Sequence, residues 1–93
     1  MKRQVIVTTD KDKRGVFYGT LEKEEGEKVV LTDARMVVYW SEETKGVLGL
    51  AAIGPQRGSR VTPVVPRIEL EGKTAIIDCT KEAVEVFRGE IWS

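Results

Sequence analysis

The sequence predicts one mainly β domain over residues 1–93: an antiparallel sheet that closes as a small barrel, with one short inserted helix and a short C-terminal helix. Three observations indicate this fold. A chain of 93 residues has the size of a single small domain. Short β-branched and apolar runs alternate with charged or glycine-containing turns, as they do in antiparallel sheets. No repeat, low-complexity tract or linker divides the chain.

Four strands are expected in the first part of the chain, joined by very short turns: 4–10, 16–21, 28–33 and 34–40. Gly19 interrupts the second of them, and a glycine inside a strand is typical of a bulge or a sharp bend. Such a bend lets a short meander curve into a small barrel.

The pattern changes after the fourth strand. Ser41 is a reasonable helix N-cap and Gly54-Pro55 ends the apolar segment that follows, so a short helix or helical loop is expected between them. Three further elements are predicted: a polar, basic loop at 56–60, a hairpin of 67–72 with 73–79 that turns at Glu71-Gly72, and a helix at 81–87 capped by Thr80.

The composition excludes several function classes. Fifteen basic and fifteen acidic residues cancel, whereas a nonspecific DNA or membrane binder needs surplus positive charge. The chain has no histidine, the commonest general base and metal ligand, and no serine in a nucleophile motif. We therefore expect no enzymatic activity, no catalytic residue, no metal and no cofactor.

The expected location is the cytoplasm. The single Cys79 lies in an apolar run and has no second cysteine to pair with, which fits a reducing compartment. No signal-peptide pattern is present, and no stretch approaches the roughly 20 apolar residues of a membrane span.

Part of the sequence carries a known barrel motif. Three residues precede the turn at 22–27 and four follow it: Gly15, Gly19, Leu21, then Val30, Leu31, Asp33, Ala34. This pattern, within residues 3–36, resembles the first motif of the Sm-like family of SH3-type small barrels, whose subunits pair strands to form rings. The resemblance implies an SH3/Sm-like barrel and, as one function, an RNA-binding ring. Sm-like RNA sites use an Asp and an Asn in that turn, which here is acidic and lacks asparagine.

A second resemblance spans nearly the whole chain. Four segments are similar to a family of short phage- and prophage-encoded proteins of unknown function: VIVTT (5–9), GVFYGTL (15–21), VVLTDARMVVYW (29–40) and LAAIG (50–54). The resemblance implies a source and a size class. Several phage proteins of similar length are oligomeric sponges that sequester nucleotide signals of bacterial immunity, which is an analogy of size and source.

Five residues are candidates for a nucleotide site. Tyr39 and Trp40 are adjacent in a strand, so one ring can enter the core while the other faces outward or contacts a neighbour. An aromatic plane stacks on a base, and arginines bind phosphates. Arg35 is expected on the face of Tyr39, and Arg57 and Arg60 lie in a glycine-containing loop. Alternatively, one ring is core, the other a subunit contact, and the arginines pair with nearby acids.

The expected function is therefore a non-enzymatic homo-oligomer that sequesters a small nucleotide, such as a cyclic nucleotide or an ADP-ribose-type signal. The two rings together with Leu48, Leu50 and Ile53 form more apolar surface than one small barrel needs, which places this segment at the subunit interface. The alternatives are the RNA-binding ring and a structural or protein-interaction module of a phage.

Overall fold

Six strands form one antiparallel sheet in the computed structural model, which describes residues 3–10 and 15–89. The strands are β1 (Arg3–Thr9), β2 (Gly15–Glu25), β3 (Lys28–Tyr39), β4 (Arg60–Val61), β5 (Val65–Leu70) and β6 (Lys73–Asp78). Two short helices accompany them, α1 (Gly46–Ala52), which follows a 3₁₀ turn at Glu42–Thr44, and α2 (Lys81–Phe87). The prediction of a mainly β fold with two short helices is confirmed. The expected charged turn at 11–14 lies outside the described residues.

The sheet has the order β4-β3-β2-β1-β6, and β5 also pairs with β3. Because β2 already pairs along one edge of β3, β5 lies on its other edge, and β4 follows at the end of β3. No strand pairing joins β5 to β6 in the described part of the chain, so the sheet is open rather than closed as a barrel.

Two predicted features of the sheet are wrong. The segments 28–33 and 34–40 form one strand, because Asp33 takes a left-handed conformation (φ 49°) that accommodates an extra residue without ending the strand. Strands β5 and β6 do not form a hairpin. The link between them is anchored elsewhere, since Asp10 N donates to Gly72 O (3.2 Å) and Lys73 N donates to Glu27 O (3.2 Å). The chain therefore passes from β5, which pairs with β3, to β6, which pairs with β1.

The bend at Gly19 coincides with a bulge. Tyr18 pairs with Arg35 and Thr20 with Thr32, so two residues of β3 oppose Gly19 alone. A side chain at Gly19 would place its Cβ 3.0 Å from Leu31 Cβ, which is closer than real Cβ atoms normally approach. Glycine therefore lets the two strands approach each other where the sheet bends.

Apolar side chains form two clusters. The first cluster lies under the helices and contains Ile6, Tyr18, Val37, Leu50, Ala51, Val61 and Phe87. The second cluster contains Val5, Val7, Val29, Leu31, Ala34 and Leu70. Strand β1 contributes to both, because its successive side chains point to opposite faces of the sheet. This explains why Val5, Ile6 and Val7 are all fully buried.

Candidate functional site

An irregularity at the end of β3 separates the two adjacent rings. Val37 pairs with Val61 of β4 and Tyr39 pairs with Arg60, so Val38 is an extra residue on β3. Beyond this point Trp40 packs against the first cluster, whereas Tyr39 is 54% exposed. The two rings therefore belong to different surfaces.

Tyr39 and Arg60 are direct cross-strand partners, and both side chains are exposed. The Cβ atoms of directly opposed residues in an antiparallel pair lie about 4.5–5.5 Å apart. The structure therefore places on neighbouring strands a tyrosine and an arginine that are 21 positions apart in the sequence. We call these two residues and Arg57 the Tyr39 corner.

Arg57 lies on the turn that leads into β4. Ser59 N donates to Gln56 O (3.0 Å), which closes a β-turn over residues 56–59. Gly58 occupies its third position with φ 93°, a conformation that glycine adopts without steric cost. The exposed Arg57 is therefore held next to this glycine, three residues before Arg60.

A group of hydroxyls, which sequence reasoning missed, fixes this turn to the end of β3. Thr44 is completely buried, and its Oγ1 accepts a hydrogen bond from Gln56 N (2.9 Å) and lies 3.2 Å from Ser59 Oγ. Ser59 Oγ in turn accepts from Ser41 N (3.0 Å). Helix α1 packs closely here, since a Cβ at Gly49 would clash with Thr44 O at 1.7 Å. Because these polar atoms are buried and paired, the loop has little freedom to separate from β3.

Arg35 does not belong to the Tyr39 corner. It is 6% exposed, and its guanidinium donates to Thr62 O (2.7 Å), to Phe87 O and to Gly89 O (2.9 Å). Phe87 is the last residue of α2 and Gly89 follows it two positions later, so the guanidinium lies at the C-terminal end of the helix, where the helix dipole favours a cation. The expectation that Arg35 shares the face of Tyr39 is wrong, because the irregularity at Val38 interrupts the alternation between them.

The predicted subunit-interface residues are divided between interior and surface. Leu50 is completely buried in the first cluster, so the prediction that it contacts another subunit is wrong. Ile53 is half-buried, and Leu48 is 69% exposed on α1. Helical periodicity separates Leu48 from Leu50, because residues two apart lie on different sides of a helix.

Trp40 lines a groove of its own, of about 530 Å³. Its lining includes the apolar residues Val16, Val38 and Val47 as well as hydroxyl-bearing residues such as Thr8. Tyr39 is not among the lining residues. The groove and the Tyr39 corner are therefore distinct features of the surface.

Burial suppresses the ionisation of two groups in the interior. It raises the pKa of the Cys79 thiol to about 12, with a further contribution from the negative charge of Asp78. It raises the pKa of the Tyr18 phenol to about 12 as well. Both side chains are consequently neutral at physiological pH, and the thiol lacks the thiolate that nucleophilic chemistry needs.

Residues 3–10 and 15–89 contain no group of acidic or cysteine side chains arranged to hold a metal ion. Neither α1 nor α2 has the length and apolar character needed to cross a bilayer.

Comparison with known proteins assigns the chain to a family. Residues 2–87 match the model of a domain of unknown function, DUF6948. The match covers most of the chain, so the protein belongs to this family. Searches of characterised proteins and of solved structures gave no match.

Proposed function

We propose that the Tyr39 corner binds a small nucleotide and that the protein sequesters this ligand without converting it. The observation that carries the proposal is the cross-strand pairing of an exposed tyrosine with an exposed arginine. The phenol ring supplies a plane on which a base stacks, and a guanidinium forms bidentate hydrogen bonds with a phosphate.

The rigidity of the corner supports this proposal. The buried hydroxyls of Thr44 and Ser59 hold the turn that carries Arg57, and that leads directly into Arg60, against the end of β3. A preorganised site loses less conformational entropy on binding than a mobile loop does. Those hydroxyls are engaged with each other and with backbone groups, so the site favours binding over nucleophilic chemistry.

The proposed ligand is a cyclic nucleotide or an ADP-ribose-type signal, and the proposed context is a phage protein that removes the signal from the host cytoplasm as a homo-oligomer. A ligand of this size has one to three phosphates, a number that two arginines can match. The acidic turn at 22–27 is unfavourable for a long RNA backbone, so we favour the small ligand over an RNA-binding ring.

Isothermal titration calorimetry tests the proposal directly. The titrants are cyclic dinucleotides, cyclic trinucleotides, ADP-ribose derivatives and a fluorescent oligouridine, each at two salt concentrations. We expect one nucleotide to bind with a modest salt dependence, and Arg60→Ala to weaken it by about 1.5–3 kcal/mol, the range for hydrogen bonds to charged groups.

Arg88→Ala is the matched control. Arg88 is an exposed arginine that pairs with Glu85 at the end of α2, and its replacement should leave binding unchanged. Binding of oligouridine alone, with a slope of about −0.7 per phosphate in the log–log salt plot, would support the RNA ring instead. Equal losses in Arg60→Ala and Arg88→Ala would show that binding depends on overall charge and not on the corner.

A further inference from the structure

Four hydroxyl or amide side chains next to the Tyr39 corner are of the kind that recognises the edge of a base. Each lies one or two residues from a member of the corner: Ser41, Gln56, Ser59 and Thr62. A base edge is distinguished by donors and acceptors placed opposite its own, whereas every base has a ring face on which an aromatic residue stacks. The hydrogen-bond partners of these four side chains therefore decide what the corner can select.

The hydroxyls among them are engaged within the fold. Ser59 is 3% exposed, and its Oγ accepts from Ser41 N (3.0 Å) and lies 3.2 Å from Thr44 Oγ1. Ser41 Oγ lies 3.4 Å from both of those hydroxyl oxygens. Thr62 Oγ1 accepts from Met36 N (2.9 Å) and donates to the carbonyl of the following residue (3.2 Å). A hydroxyl has one hydrogen to donate, and each of these has an acceptor for it inside the protein.

The amide of Gln56 is engaged in a similar way. Its Nε2 donates to Ile53 O (3.1 Å) and to Gly54 O (3.0 Å), so both amide hydrogens are directed back to the end of α1. The indole of Trp40 packs against the first cluster and belongs to a different surface from Tyr39. The four side chains thus keep their hydrogens within the fold, and what the corner offers a ligand is one ring face and two guanidinium groups.

We infer that the Tyr39 corner selects nucleotides by their phosphates and not by their base, an inference that rests on the nucleotide binding proposed above. An arginine forms bidentate hydrogen bonds with a phosphate whichever base the nucleotide carries. Stacking on a tyrosine ring tolerates every base, and it favours the larger purines only modestly. The ligand class is therefore nucleotides of any base, and the number of phosphates sets their affinity.

Calorimetry with two matched series of nucleotides separates the two kinds of recognition. The first series varies the base at constant phosphate, with AMP, GMP, CMP and UMP, and with cyclic di-AMP beside cyclic di-GMP. The second varies the phosphate at constant base, with adenosine, AMP and ADP. We expect affinities within about tenfold of one another in the first series. In the second series we expect a gain of about tenfold or more from adenosine to AMP, as hydrogen bonds to a charged group provide.

Two variants, checked for folding by circular dichroism, assign each series to its residue. Tyr39→Phe keeps the ring and should leave both series unchanged, whereas Arg57→Ala should reduce the gain from AMP to ADP and leave the spread among the bases as it is. A difference above about tenfold between two bases, such as a preference for guanine read by an arginine, would overturn the inference while nucleotide binding stands. Equal affinity for adenosine and AMP would also overturn it. A lack of binding by every nucleotide would overturn the inference together with the proposed function.

Discussion

Two cross-strand tyrosine–arginine pairs in the sheet have opposite surroundings. Tyr18 and Arg35 are partners between β2 and β3, and both are buried. Tyr39 and Arg60 are partners between β3 and β4, and both are exposed. The same two residue types in the same relative position are therefore buried in one case and exposed to solvent in the other.

The elements packed over each pair cause this difference. Helix α2 covers the first pair: the Phe87 ring stacks on Tyr18 with centroids 4.0 Å apart, and the carbonyls of Phe87 and Gly89 accept from Arg35. Backbone acceptors thus take the place that a ligand's phosphate would occupy. The comparison teaches that an arginine paired with an aromatic residue across two strands can be a structural element of the core, as Arg35 is at the end of α2.

The largest effect is expected from Arg35→Met. The substitution leaves three backbone carbonyls without the guanidinium donor, and an unsatisfied buried polar group costs about 1–3 kcal/mol. We expect the free energy of unfolding to fall by roughly 3 kcal/mol or more in a urea titration followed by circular dichroism. Arg60→Met is the control and should change it by no more than about 0.5 kcal/mol. Equal stabilities of the two variants would contradict the contrast between the pairs.

Gly19→Val should have the next largest effect. The new Cβ would lie 3.0 Å from Leu31 Cβ and 3.1 Å from Thr32 O, so the bulge that orients Arg35 toward α2 must distort. Overpacking of this kind costs about 1–3 kcal/mol. The thermal midpoint should fall clearly, whereas Lys23→Val, on the exposed part of the same strand, should leave it nearly unchanged. An unaltered midpoint in Gly19→Val would show that the close approach of the strands is not required.

Some elements of this structure could be predicted from the sequence and others could not. Local patterns of β-branched residues, glycines and the Thr80 cap are sufficient for most strands and for α2, because the signals are contained in each segment. They do not specify that β5 pairs with β3. Nor do they reveal which face of the sheet Arg35 occupies. The extra residues at Asp33 and Val38 shift the alternation of side chains between the two faces, and a prediction from sequence assumes that this alternation is regular.

The candidate site was predictable only in part, for the same reason. Tyr39, Arg57 and Arg60 carry suitable chemistry in the sequence, but the pairing of Tyr39 with Arg60 depends on the return of the chain through Thr44 and Ser59. Serine and threonine are common in loops, so their pattern gave no signal of a buried group.

Tyr39→Ala tests the exposed pair without involving the buried one. We expect nucleotide affinity to fall by about 1–3 kcal/mol through loss of base stacking, with the free energy of unfolding changed by no more than about 0.5 kcal/mol. The measurements are calorimetry with the nucleotide that binds the wild-type protein and a urea titration. Trp40→Ala should instead lower the free energy of unfolding and leave nucleotide affinity unchanged, because that ring packs against the first cluster. Retained affinity in Tyr39→Ala would remove the corner as the stacking site.

Tyr18→Phe should have the smallest effect at neutral pH and a distinct one in alkali. The substitution removes only a long hydrogen bond to Gln4 Oε1 (3.3 Å), so the free energy of unfolding should fall by less than about 1 kcal/mol at pH 7.

Burial raises the pKa of Tyr18 from 10.0 to about 12 in the folded protein. Below pH 10 the phenol is neutral in both the folded and the unfolded chain, and stability does not depend on it. Between pH 10 and 12 the unfolded chain loses this proton while the folded chain keeps it, so the free energy of unfolding falls as the pH rises. Cys79 adds to this fall with the same sign, since its pKa is raised to about 12 as well. Urea titrations from pH 8 to pH 11.5 should therefore show a shallower decline in Tyr18→Phe than in the wild type, and a decline of equal slope would mean that this phenol is open to solvent, as Tyr39 is.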